Sequence, residues 1–152
     1  MKAFLTLTTL LLSIAVISAS YPCGTGICGD GELCYTRDSI CRCMRYYECH
    51  DVDLTVRQIN SWTDAKDNCV YTQYDVDIRN HMNRNIKQIF IGTSNMQLKD
   101  NNSIWGARRL HNGDVTLLEN QDVNANAVHT FGFIVRATKD NRPSLFIKAV
   151  VY

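Results

Sequence analysis

Six of the seven cysteines in this 152-residue chain fall between residues 23 and 49: Cys23, Cys28, Cys34, Cys41, Cys43 and Cys49. Gly24, Gly26, Gly29 and Gly31 interleave the first three. A stretch this short and this poor in large apolar side chains cannot bury enough surface to hold itself together, so it needs covalent cross-links. Such links persist in an oxidising compartment. The beginning of the chain has the pattern that leads there. Met1 and Lys2 precede a strongly apolar run from Leu10 to Ile17, and Ser18, Ala19 and Ser20 follow it. This is the arrangement of a secretory signal peptide over residues 1–20, cleaved after Ala19 or Ser20. The run is shorter than the ~20 residues a membrane span needs. No second apolar run approaches that length, so a secreted protein without a membrane span is expected.

Lysine plus arginine number 16 against 15 acidic side chains. Removing residues 1–20 takes Lys2 and no acid, which leaves 15 against 15 and no net charge. A nucleic-acid binder would carry a marked basic excess. With 45% apolar and 20% charged residues the chain is globular rather than disordered.

Zinc is the other use of clustered cysteines, but thiolate sites favour paired C-x-x-C knuckles, and none is present. Disulfides are therefore expected and no metal site, although sequence alone does not choose among the pairings six cysteines allow. The spacing, closing on Cys41-Arg42-Cys43 and Cys49, resembles an epidermal-growth-factor-like module over residues 21–50, with a shorter loop between Cys34 and Cys41 than such modules usually have. That resemblance implies the pairs Cys23–Cys34, Cys28–Cys41 and Cys43–Cys49. Tyr46 and Tyr47 would pack on these disulfides.

From about residue 51 the texture changes. Val52, Leu54 and Val56 alternate with polar neighbours, as do Tyr74, Val76 and Ile78. Ile89 and Ile91 keep the pattern, Phe131, Phe133 and Val135 alternate, and Leu145, Ile147, Ala149 and Val151 follow near the end. Period-two alternation of β-branched and aromatic residues marks strands. Arg79-Asn80-His81, Lys99 to Ser103 and His111-Asn112-Gly113-Asp114 read as turns, the last with an Asn-Gly hairpin signal. No convincing helical period appears past residue 50. The expected fold is all-β, an antiparallel β-sandwich over residues 51–152 preceded by the small disulfide-rich module.

Within residues 54–147, Trp62 is followed by the strand Tyr71-Thr72-Gln73-Tyr74-Asp75-Val76-Asp77-Ile78-Arg79-Asn80, then by Ser103-Ile104-Trp105-Gly106 and His129-Thr130-Phe131-Gly132-Phe133-Ile134. This string is similar to the family-49 carbohydrate-binding module, a cellulose-binding β-sandwich found at the end of some plant cellulases and in secreted wall or matrix proteins of amoebae and slime moulds. The family usually carries a further tryptophan in a Leu-Pro-x-Trp stretch. Here Val115 to Asn120 has neither proline nor tryptophan, so one ring of the row is missing.

A flat aromatic ring covers the C–H face of a sugar, and polar groups around the rim fix its orientation. Trp62 and Trp105, the only tryptophans, match the family's positions and are the expected carbohydrate contacts. Tyr71 lies three residues from Tyr74, hence on the opposite face of their strand, and joins them as a stacking or rim residue. Asp75 and Asp77 share that face roughly 7 Å apart at about 3.3 Å per residue. That spacing suits a glycosidase pair, but an exposed acidic face beside Arg79 is the simpler account. His50, His81, His111 and His129 are scattered without a nucleophile nearby, and no phosphate loop or metal-ligand motif appears. Neither catalytic residues nor a cofactor are expected. Asn101-Asn102-Ser103 is an N-glycosylation sequon, which places a glycan on Asn101 close to Trp105.

The expected protein is thus a secreted, non-catalytic binder of cellulose or a related β-glucan, in an extracellular matrix, sheath, spore coat or cyst wall. Residues 21–50 would attach to other matrix proteins. The rival readings are a signalling ligand acting through the cysteine-rich part and, less favoured, a wall-modifying enzyme. Cys69, the cysteine outside the cluster, is expected to form an intermolecular disulfide, and a disulfide-linked homodimer would gain avidity for a polymer.

Overall fold

A computed structural model describes residues 20–136 and 142–152; the expected signal peptide lies outside the described residues except for Ser20. The strands are β1 (Tyr21–Cys23), β2 (Gly26–Cys28), β3 (Glu32–Arg37), β4 (Ile40–Arg45), β5 (Val52–Asp64), β6 (Cys69–Asn80), β7 (Gln88–Ser94), β8 (Ile104–Trp105), β9 (Arg108–Arg109), β10 (Val115–Thr116), β11 (Val128–Val135) and β12 (Ser144–Val151). Among the described residues the one helical element is a 3-10 turn at Tyr46–Glu48. The strands make a six-stranded sheet in the order β4-β3-β12-β7-β10-β9, a four-stranded sheet in the order β5-β6-β11-β8, and the separate hairpin β1-β2. The all-β sandwich expected from the alternation is therefore present. Its pairing is antiparallel except where β3 runs parallel to β12.

The core lies between the two larger sheets. Tyr74, Val76, Ile78, Phe131 and Phe133 from one sheet meet Ile89, Ile91, Val115 and Val150 from the other, all at 1% exposure or less. Burial of this kind stabilises by roughly 25 cal/mol for each Å² of apolar surface withdrawn from water. The Tyr71-to-Asn80 motif ends in a buried polar knot. Asn80 is 1% exposed; its Nδ2 donates to the carbonyls of Arg84, Val123 and Asn124 at 2.8, 3.1 and 3.0 Å, and its Oδ1 accepts from the Met82 N–H at 3.0 Å. One side chain thereby satisfies a turn that has no ladder of its own.

The cysteine-rich segment is not a module apart. Leu33 and Tyr35 of β3 belong to the main core, while Cys34 between them faces the other way onto Cys23, Cys28 and Ala149, and β3 pairs with β12 from Cys34↔Ala149 to Thr36↔Val151. β12 serves both sides of its sheet through a bulge between Ile147 and Ala149. Val150 enters the main core while Ala149 packs on Cys23, Cys28 and Cys34, so the expected single face from Leu145 to Val151 is broken.

Two disulfides form, Cys23–Cys34 and Cys28–Cys43, side by side, with the sulfurs of Cys23, Cys28 and Cys34 within 4.8 Å of one another. The pairs Cys28–Cys41 and Cys43–Cys49, implied by the epidermal-growth-factor-like spacing, are replaced. The cause is register. The two-residue Asp38-Ser39 turn, both residues at positive φ, sets Cys34 opposite Cys43 and Thr36 opposite Cys41. Cys28 on the overlying hairpin then meets Cys43, whereas Cys41 lies two pairs nearer the turn, its sulfur accepting from Thr36 Oγ1 at 3.4 Å. Cys49 follows the 3-10 turn and packs against the main core. Tyr46 meets Phe146 edge-on and Tyr47 is exposed, so neither ring covers the disulfides as expected.

Candidate functional site

The outer face of the four-stranded sheet carries the residues singled out from sequence. On β6 the odd-numbered residues Cys69, Tyr71, Gln73, Asp75 and Asp77 point away from the core, since Tyr74, Val76 and Ile78 point into it. The register aligns Trp62 of β5 with Tyr71, and Trp105 of β8 with Gly132 of β11, itself opposite Asp75. Both tryptophans therefore stand on one outer face. Strand spacing and rise put them on the order of 20 Å apart, at opposite corners.

Trp62 reaches that face only through a bulge. Val52, Leu54 and Val56 are core-side, and an unbroken β5 would send the next even-numbered residues the same way. The register shifts between Gln58 and Asn60, leaving Ile59 unpaired and 47% exposed, and the alternation reverses beyond it. Trp62 is half-buried there, its ring centroid 6.2 Å from that of Tyr71.

Trp105 is 43% exposed. Its indole lies flat over Gly132, where a Cβ on the glycine would come within 2.4 Å of the ring. Ile104 beside it packs on the core, which fixes the direction of the indole.

Tyr71, expected to stack on a ligand, is 6% exposed and already covered. Its hydroxyl donates to Asp67 at 2.5 Å, and the Lys99 ammonium stands 4.6 Å from its ring centroid and 6.0 Å from that of Trp62. The Lys99 ammonium also donates to Asp64 at 3.0 Å. The bond to Asp67, with burial and the carboxylate charge, pushes the Tyr71 phenol from 10.0 up to about 12. The same bond, joined by the Cys69 backbone N–H, holds the Asp67 carboxyl below its usual range. Tyr71 thus flanks Trp62 on the same face, with Lys99 against both rings. Lys99 has no signature in the sequence, because it sits in a loop whose path over β6 is set only by tertiary structure.

The same face carries polar side chains, with Gln73 between the levels of the two tryptophans, Asp75 at the level of Trp105 and Asp77 one step beyond them. Asp77 accepts from Thr130 Oγ1 at 2.7 Å and from Arg57 at 3.0 Å. The Thr130 bond first, then Arg57, holds its carboxyl below the usual range, the reverse of what a general acid needs. The expected interchain thiol is misplaced: Cys69 is 9% exposed with its sulfur donating to the Asp67 carbonyl at 3.4 Å. Burial keeps it from a second chain, and the exposed free thiol is Cys41. Asn101 is exposed in the turn before β8 and opens onto the gap between the sheets, away from the face that Trp105 covers.

The chain is 42% identical over 146 residues to Stalk-specific protein A of Dictyostelium discoideum and 41% identical to Stalk-specific protein B, in each case over 91% of this chain and 93% of theirs. A solved exo β-N-acetylglucosaminidase from Vibrio harveyi aligns at a TM-score of 0.47 and 9% identity, over 67% of this chain and 19% of its own, too slight a likeness to carry an argument. The carbohydrate binding domain CBM49 matches residues 52–137, from the start of β5 to just past β11. With that match spanning more than half of its length, this chain belongs to the CBM49 carbohydrate-binding family.

Proposed function

We propose that the protein is a secreted, non-catalytic binder of cellulose or a related β-glucan that works in an extracellular matrix, sheath, spore coat or cyst wall. The observation that carries this reading is the pair of tryptophans on one outer sheet face that also carries hydrogen-bonding side chains. Flat rings remove the apolar faces of sugar residues from water, and polar side chains fix the hydroxyl rims. Trp62 and Trp105 are the contacts, and Tyr71 holds Trp62 in place. The relatives named stalk-specific and the signal-like start of the chain support a matrix role. An N-linked glycan on Asn101 would leave the tryptophan face clear.

Co-sedimentation with microcrystalline cellulose tests the proposal. The protein should pellet with the polymer, and Trp62→Ala or Trp105→Ala should release it. Protein that stays in the supernatant at both low and high salt rejects the cellulose reading.

A further inference from the structure

The six-stranded sheet has an outer face of its own, on the opposite side of the core from the tryptophans. Leu145 and Ile147 of β12 and Ile89 and Ile91 of β7 pack on the main core, so Phe146, Phe90 and Gly92 point outward. Phe146 and Gly92 are cross-strand partners, and the ring takes the place of the glycine's side chain. A Cβ there would come within 2.5 Å of the ring and 2.8 Å of Lys148 Cε. This repeats, on the other sheet, the seating of Trp105 over Gly132. Phe146, like Trp105, is not closed off from solvent; it is half-buried.

Polar groups stand around this ring. The Lys148 ammonium lies 6.0 Å from its centroid and donates to Asp114 at 2.8 and 3.1 Å. Asp114 is 3% exposed and takes a further bond from Asn112 Nδ2 at 2.9 Å. An ammonium has three donors, so one remains for a ligand once the carboxylate has taken two. In the other direction along the two strands, roughly 7 Å away at about 3.3 Å per residue, Ser94 and Ser144 are exposed partners on the same face. Tyr46, 37% exposed, meets Phe146 edge-on with centroids 6.5 Å apart. The charges of this face cancel in pairs, Lys148 with Asp114 and Arg45 with Glu32. That balance suits an uncharged ligand. A ring edged by hydroxyls and a neutralised ion pair matches the C–H face and hydroxyl rim of a neutral sugar. A ring over a cross-strand glycine also strengthens a sheet, but sheet packing alone does not account for the polar groups placed on both sides of it.

We propose that this face is a second binding site for a neutral β-glucan chain, one sugar residue stacking on Phe146 between Lys148 and the Ser94–Ser144 pair. The inference rests on the proposed function for the class of polymer alone; the residues are separate. The sandwich then holds a glucan on each of its two outer faces and ties two chains together.

Native affinity electrophoresis of the mature protein through hydroxyethylcellulose tests this. The Trp62→Ala/Trp105→Ala form should still be retarded. Adding Phe146→Leu, which keeps an apolar cover on Gly92 but removes the flat ring, should weaken that residual retardation roughly three- to tenfold. Phe146→Tyr in its place should preserve it, which assigns the loss to the ring rather than to packing. Gly92→Ala, which drives the ring from its seat, should act as Phe146→Leu does. Urea midpoints identify any variant that has merely unfolded, and Phe146→Tyr against Phe146→Leu then decides. Retardation that disappears with the two tryptophans overturns this proposal and upholds the first site. Retardation untouched by their loss but abolished by Phe146→Leu upholds this site and removes the first. No retardation of the wild type, or equal retardation with and without Phe146→Leu, overturns it; the tryptophan face is judged separately by pelleting with microcrystalline cellulose. Rings on an open face also serve protein contacts. A dimer in size-exclusion chromatography that Phe146→Leu dissolves would give the face to a second copy, and likewise overturn the proposal.

Discussion

Gly132 and Trp105 are cross-strand partners in which the indole lies where the glycine's side chain would be. The glycine is buried by a ring that is itself 43% exposed. Replacing it with alanine puts a Cβ within 2.4 Å of the indole, and the ring, free on its outer side, must swing away. Gly132→Ala should keep the fold, with a change in stability of about 1 kcal/mol. It should lower cellulose retention as far as Trp105→Ala does. Retention equal to wild type, measured with the denaturation midpoint, would separate the glycine from the binding face.

Asn80 should matter for stability alone. Asn80→Ala leaves the carbonyls of Arg84, Val123 and Asn124 and the Met82 N–H without their partner in a buried place. The expected cost is about 2–4 kcal/mol, read from urea denaturation. Asn80→Asp, of nearly the same shape, should be no better, since a carboxylate offers no donor to three carbonyls. A loss under about 1 kcal/mol in both variants would show that the knot is dispensable.

The three free thiols should separate by reactivity. Cys41 is exposed, Cys49 is half-buried with burial pushing its thiol pKa up, and Cys69 is buried. A thiol reagent added to native protein should modify one cysteine quickly and the other two only on unfolding. Cys41→Ser should abolish the fast phase. Any covalent dimer on a non-reducing gel should vanish with Cys41→Ser and persist with Cys69→Ser.

Alkali should expose the phenols of Tyr35 and Tyr71. Burial and the hydrogen bond to Asp51 push Tyr35 up to about 12, and the bond to Asp67 does the same for Tyr71, from an ordinary value of 10.0. Between those values the unfolded chain has released protons that the folded chain keeps. The stability these groups contribute is therefore complete below pH 10.0 and is lost as the pH rises through about 12. Thermal melts should fall in that window. Asp67→Asn should bring the Tyr71 titration back toward 10.0, seen as tyrosinate absorbance, and an unchanged titration would contradict the assigned cause.

The strands are legible in the sequence because one face of each is buried. Tyr74, Val76 and Ile78, or Phe131, Phe133 and Val135, announce the period with no long-range knowledge. The two tryptophans are legible through resemblance, but the way Trp62 reaches its face is not. A bulge at Ile59 is one unpaired residue, and nothing in Gln58-Ile59-Asn60 marks it. Alternation puts Tyr71 on the correct side but suggests the wrong role, because it tells which face a ring takes and not what lies over it. Lys99 arrives from a distant loop. Cys23–Cys34 forms as the spacing implies, but the other two implied pairs fail for the same reason: spacing counts residues along the chain, whereas the partner of Cys28 is decided by the register of β3 on β4.

The parallel neighbour of β3, strand β12, bears on timing. In a chain made from its N-terminal end, the six clustered cysteines emerge first and Ala149, the floor beneath the two cross-links, emerges after every other strand. Contacts of such long range close slowly. Early oxidation must then proceed without the surface on which Cys23, Cys28 and Cys34 later pack. An isomerase, or exchange through the accessible Cys41, has work to do until β12 docks. The last strand acts as the proofreader of the first bonds.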